Sequence, residues 1–142
     1  MPKNSNQKKC RVALVDDEEI ILEMYKTKLE KENYEVITAR NGLEGLALVK
    51  DKNPDIVLVD LMMPKKDGFY LLARMKNNKK LSKIPTIVLT NMDGKDLREK
   101  ACQLGAIFFL VKAQFMPSEV VEVINEVLNV KADHPEVINR CS

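Results

Sequence analysis

Residues with charged or reactive side chains stand at the carboxyl ends of four short apolar runs. Asp16 and Asp17 follow Val12-Ala13-Leu14-Val15, Asp60 follows Ile56-Val57-Leu58-Val59, Thr90 follows Thr86-Ile87-Val88-Leu89, and Lys112 follows Phe109-Leu110-Val111. A β-branched run reads as a buried parallel strand, and open α/β sheets bind ligands beyond the carboxyl ends of their strands. One Asp at such a place commonly just caps the next turn; four strand ends equipped this way favour a shared site. Three carboxylates at one edge cannot all stay ionised without a cation, because like charges a few ångströms apart raise one another's pKa. A divalent metal resolves the conflict. No His or Cys lies nearby in sequence, and ligation by Asp oxygens with a backbone carbonyl fits Mg²⁺, which keeps several waters and usually acts on phosphate. The chemistry is then phosphoryl transfer. The Thr90 hydroxyl and the Lys112 charge are placed to hold phosphoryl oxygens, and Asp60 is left as the nucleophile.

The elements that must position these residues follow from the apolar pattern, which switches repeatedly between β-type runs and helical periodicity. The strands read as 11–15, 35–38, 56–59, 86–89 and 107–111, with five helices between and after them. Such alternation predicts βα units and an α/β fold, a doubly wound five-stranded parallel sheet with helices on both faces. The first helix buries Ile21, Leu22, Tyr25 and Leu29, and the second starts near Asn41-Gly42 and turns Leu43, Leu46 and Val49 inward. The third starts at Asp67-Gly68 with Leu71, Leu72 and Met75 inward. The fourth runs from about Gly94 to Leu104 with only Leu97, Ala101 and Leu104 inward, and is the most polar. The last opens on Pro117 and lines up Val120, Ile124, Val127 and Leu128.

With 142 residues, 45% hydrophobic and 31% charged, the chain has the size and mixture of one soluble domain. The reading is a polar tail over 1–8, the folded domain over 9–130 and a second tail over 131–142. The net charge of +2 is spread among mixed signs and gives no nucleic-acid footprint; the run Lys76-Asn77-Asn78-Lys79-Lys80 reads as a solvated loop. No apolar stretch is long enough for a membrane span, and residues 1–6 lack the apolar core of a signal peptide, so a cytoplasmic protein without a membrane partner is expected. Cys10, Cys102 and Cys141 are odd in number, lack metal-ligand spacing and are expected as reduced thiols. His134, in the tail, is expected to be exposed.

At the strand-end residues the chain resembles the receiver domain of two-component response regulators, in its stand-alone, chemotaxis-regulator-like form. The resemblance spans roughly Lys9 to Val130 and rests on Asp16-Asp17, on Val59-Asp60-Leu61-Met62-Met63-Pro64 with Asp67-Gly68, on Thr90 and on Lys112. It implies the flavodoxin-like strand order 2-1-3-4-5. It implies that Asp60 accepts a phosphoryl group from a sensor histidine kinase or a histidine phosphotransfer protein, the chain catalysing its own phosphorylation and dephosphorylation. Mg²⁺ would be bound by Asp17, Asp60 and the Met62 carbonyl, with Asp16 acting mainly through water; Thr90 and Lys112 would contact the phosphoryl group. Thr90 and the aromatic Phe109 would form a switch in which Thr90 moves toward the phosphoryl group and Phe109 turns inward. The face made by the fourth helix, fifth strand and fifth helix would meet a protein target or a second copy of the chain, with no direct contact to nucleic acid.

Several residues depart from the family pattern. Ala113 stands where a Pro with a cis bond usually follows the Lys, and a trans bond is expected because cis costs about 2.5–4 kcal/mol outside proline. Asn91 is bulkier than the usual Ala and would narrow access to Asp60. Met62 and Met92, two residues beyond Asp60 and Thr90, would flank the path of an attacking water that neither can orient. Ile107 and Phe108 either enlarge the apolar target face or pack under the fourth helix. The leading reading is a phosphorylatable receiver. The alternatives are a phosphorylation-independent interaction module and a receiver fragment of a longer regulator. A flavin-binding flavodoxin is disfavoured, since Asp16-Asp17-Glu18-Glu19 would repel phosphate without a metal.

Overall fold

The structure is a computed structural model, and it describes residues 9–133. Five strands, β1 Arg11–Val15, β2 Glu35–Ala39, β3 Ile56–Val59, β4 Thr86–Thr90 and β5 Ala106–Val111, alternate with helices α1 Glu19–Lys31, α2 Gly42–Lys52, α3 Gly68–Lys76, α4 Lys95–Gln103 and α5 Pro117–Asp133. Short 3-10 turns at Leu81–Lys83 and Lys112–Gln114 complete the chain. The sheet is wholly parallel in the order β2-β1-β3-β4-β5, as expected from the resemblance. α5 runs three residues past the expected domain end at Val130. The tail over 1–8, most of that over 131–142, His134 and Cys141 lie outside the described residues.

β3 and β4 are buried at every position, which explains their unbroken β-branched runs. Two apolar layers flank the sheet. One joins Val49 of α2, Leu71, Leu72 and Met75 of α3 and Ala101 of α4 to the side of β3 carrying Val57 and Val59. The other joins Leu22, Tyr25 and Leu29 of α1 to Val120, Ile124 and Val127 of α5 across Ile56 and Leu58.

Four expectations are corrected. Leu43 is exposed, and the inner stripe of α2 is Gly42, Gly45 and Val49, because α2 lies too close to the turn before α3 and to Val15 for a large side chain. Ile21 is only half-buried. The register between β4 and β5 shifts so that Thr86 faces Ala106 while Ile87 faces Phe108, leaving Ile107 as an extra residue. Ile107 and Phe108 therefore both pack on the α1/α5 side, not under α4. Cys102 is disulfide-bonded and not a reduced thiol.

Candidate functional site

All the strand-end residues converge at the carboxyl edge of the sheet. Asp16 N–H donates to the Ala39 carbonyl at 3.0 Å and Asp60 N–H to that of Val15 at 2.9 Å, so both residues prolong the ladder of the strands they end. Asp16, Asp60 and Thr90 are 5%, 6% and 0% exposed, whereas Asp17 is exposed. Each buried side chain also closes its own turn. Asp16 Oδ1 accepts from Glu18 N–H at 2.9 Å, Asp60 Oδ1 from Met62 N–H at 3.4 Å, and Thr90 Oγ1 from Met92 N–H at 3.3 Å. In Asp16 and Asp60 the turn-closing bond occupies one carboxylate oxygen and leaves the other for a further contact.

The second oxygens face Lys112. Its Nζ lies 2.7 Å from Asp16 Oδ2, 3.2 Å from Asp60 Oδ2 and 3.1 Å from Glu18 Oε1. An ammonium has three donors, and three carboxylates can take them. Burial works against the Lys112 charge, but the hydrogen bond to Asp16 and the charges of Asp60 and Asp16 outweigh it and hold the ammonium well above its ordinary pKa. Burial raises the Asp16 carboxyl, with Lys112 and the Glu18 N–H pulling the other way. Tyr25, buried on α1, lines the same small cavity as Asp16 and Asp60, and desolvation pushes its phenol up.

Carboxylate oxygens of Asp16, Asp17 and Asp60 lie within 4.8 Å of one another. The donor set is all oxygen and acidic, as a hard divalent cation requires. Lys112 neutralises part of it, so a cation entering here would share the carboxylates with an ammonium.

Backbone fit shapes the turn after β3. A Cβ on Gly68 would lie 2.3 Å from the Asp60 carbonyl oxygen, so only glycine lets the start of α3 close against Asp60. A Cβ on Gly42 would lie 2.6 Å from the Asp67 carbonyl oxygen, and Gly42 N–H donates to the Lys66 carbonyl at 2.6 Å. Asn41 and Asp67 cap α2 and α3, their side chains accepting from Glu44 N–H and Tyr70 N–H. Lys65, at φ 65, takes the left-handed bend.

The remaining residues singled out from the sequence sit around this edge. Met62 is 62% exposed, Asn91 is exposed and Met92 is half-buried. No described peptide bond is cis, so Lys112-Ala113 is trans as expected. Phe109 is only 8% exposed, beneath the Arg98 guanidinium, whose Cζ is 4.8 Å from the ring centroid. An aromatic expected to turn inward is inward already. Sequence reasoning missed Glu18 as a partner of Lys112. It also missed Gly42 as a support of the β3–α3 turn.

The chain belongs to the response regulator receiver domain family, whose model matches residues 12–125. Among similar proteins, response regulator PleD of Caulobacter vibrioides is 38% identical over 103 residues, which make up 72% of this chain and 23% of PleD. Protein PilG of Pseudomonas aeruginosa is 36% identical over 102 residues, 72% of this chain and 76% of PilG. A CheY-like response regulator receiver domain protein from Methanospirillum hungatei superposes with a TM-score of 0.83 at 27% identity, covering 89% of this chain and 98% of that one. Vibrio cholerae chemotaxis protein CheY4 gives 0.79 at 28% identity, with 84% and 99% covered. The fold is the flavodoxin-like fold of these receivers, and the family is that of two-component signalling. Among the described residues, no helix is long and apolar enough to cross a membrane.

Proposed function

We propose that this chain is a phosphorylatable receiver whose acceptor is Asp60. The convergence of Asp16, Asp17 and Asp60, with Lys112 set against Asp16 and Asp60, carries this reading. An Asp60 oxygen forms the new P–O bond as the N–P bond of a phosphohistidine on a sensor histidine kinase or histidine phosphotransfer protein breaks. The electron pair of that bond leaves with the imidazole nitrogen. Asp17, Asp60 and the Met62 carbonyl would hold Mg²⁺, with Asp16 supporting it through water. When bound, Mg²⁺ supplies charge neutralisation to the phosphoryl oxygens. Lys112 keeps its charge at neutral pH and is positioned to pass from the Asp60 carboxylate to a phosphoryl oxygen, while Glu18 retains it at the site. The Thr90 hydroxyl is the second donor, and Thr90 with Phe109 forms the switch read by a target or a second copy at the α4, β5 and α5 face.

Met62, Asn91 and Met92 set access and lifetime in this reading. Neither methionine can orient a water for attack on the acyl phosphate, which favours slow self-dephosphorylation. The receiver unit is residues 9–130, and the cytoplasm is where it would meet its phosphodonor. One experiment tests the reading: incubation with acetyl phosphate, with Mg²⁺ or with chelator, followed by decay after the donor is removed. A single Mg²⁺-dependent, hydroxylamine-labile phosphoryl group is expected, decaying faster in Met62→Asn/Met92→Glu. No labelling under any Mg²⁺ concentration would favour the phosphorylation-independent interaction module. Equal decay rates would remove the lifetime role of the methionines.

A further inference from the structure

Phe109 belongs to β5 and faces the α2/α3/α4 layer, in the cluster that holds Val88 and Ala101. Its outer side is covered by a cation, the Arg98 guanidinium of α4. That guanidinium is itself held: Asp93 Oδ1 accepts from Arg98 Nε at 2.8 Å and from Gly94 N–H at 2.7 Å. The Arg98 hydrogen bond and the Gly94 N–H draw the Asp93 carboxyl below its ordinary pKa, so the pair is fully charged at neutral pH. Asp93 lies three residues after Thr90, in the loop whose first turn is closed by Thr90 Oγ1 and Met92 N–H.

We propose that Asp93 and Arg98 are positioning residues that latch Phe109 inward. A guanidinium over an aromatic face is attracted by the ring quadrupole, and fixing it to Asp93 lowers the entropy lost in holding it there. The ring therefore has two supports, the apolar cluster beneath and the cation above, and the second can be removed without opening a cavity. The latch starts in the same loop as Thr90, so a rearrangement at Thr90 reaches Phe109 through Asp93 and Arg98 as well as through the sheet. The contacts of Arg98 and Asp93 are independent of which residue accepts a phosphoryl group, so failure of the latch would leave the reading of Asp60 untouched.

The test is ¹⁹F NMR of the full chain with its four phenylalanines replaced by 4-fluorophenylalanine. The Phe109 resonance is assigned with Phe109→Leu, and exposure is read as line broadening by a soluble nitroxide. The Phe109 signal should be protected in the parent. Arg98→Gln should shift the ratio of buried to exposed ring by about five-fold toward exposure, and Asp93→Ala should move it the same way by less. Arg74→Gln, which removes a guanidinium lying over Tyr70, should leave Phe109 protected. Unchanged protection of Phe109 in Arg98→Gln, with the other three resonances in place, would overturn the latch, as would an exposed Phe109 ring in the parent. If Arg98→Gln disturbs the other resonances, Asp93→Ala, on an exposed loop, decides by the same criterion.

Discussion

At the scale of single residues, the site is governed by how Lys112 is shared. Its ammonium contacts Asp16, Glu18 and Asp60 at once, so each acid is partly neutralised before any metal or phosphoryl group arrives. The raised pKa of Lys112 contributes stability that is fully present below its ordinary 10.5 and is lost only as pH rises through the higher folded value; neutral pH leaves it intact. Asp16 behaves differently. Its folded pKa is also raised, here because burial disfavours the carboxylate, so its contribution is fully present below the ordinary 3.8 and is lost as pH rises through the folded value. Measured against Asp16→Asn, the parent should therefore lose stability as pH rises above the ordinary 3.8. Chemical denaturation of both proteins from that pH upward checks the sign; a difference that stays flat with pH would remove burial as the dominant influence on Asp16. The identities of Asp16, Asp17, Asp60, Thr90 and Lys112 as neighbours were legible in the sequence because each ends a buried run. Glu18 was not, since a solvent-facing acid in an acidic run has no apolar pattern to mark its direction.

At the scale of elements, the turn from β3 into α3 is held by backbone contacts that leave no room for side chains. Gly68 closes on Asp60, and its N–H donates to the Leu61 carbonyl at 3.2 Å. Gly68→Ala must push the Asp60 backbone or the start of α3 away, and we expect it to cost about 1–3 kcal/mol and to slow labelling of Asp60. Gly45→Ala is the informative comparison. Its Cβ would meet side-chain carbons of Leu71 and Val15 at 3.0 and 3.1 Å, which can yield by small shifts. It should cost less and leave labelling near the parental rate; denaturant midpoints and labelling rates of the two variants check this, and equal losses in both would contradict the close-approach account. The same geometry explains what the sequence hid in α2. Hydrophobicity points to Leu43 as an inner residue, but a helix this near a turn uses glycine there and sends leucine out. Strand limits were legible to within one residue because β-branched runs stop where turns begin. The extra residue at Ile107 was not, because a bulge changes pairing without changing composition.

At the scale of the whole molecule, the site and the core are separable. Both apolar layers close on the sheet without help from the acids, and the charged residues gather at the carboxyl edge beyond them. That separation is what the βα alternation predicts for a doubly wound sheet, and it makes Asp60→Asn a clean probe. The amide is isosteric and its oxygen can still accept from Met62 N–H, while the carboxylate proposed as nucleophile and its ion pair with Lys112 are lost; Lys112 keeps Asp16 and Glu18 as partners. The decisive measurement is intact-protein mass spectrometry of the parent and Asp60→Asn after incubation with acetyl phosphate and Mg²⁺, with the modified peptide sequenced. A single phosphoryl group on Asp60 in the parent and none in the variant is the predicted result; undiminished labelling of Asp60→Asn, at Asp16 or Asp17, would contradict the assignment of Asp60 as the acceptor.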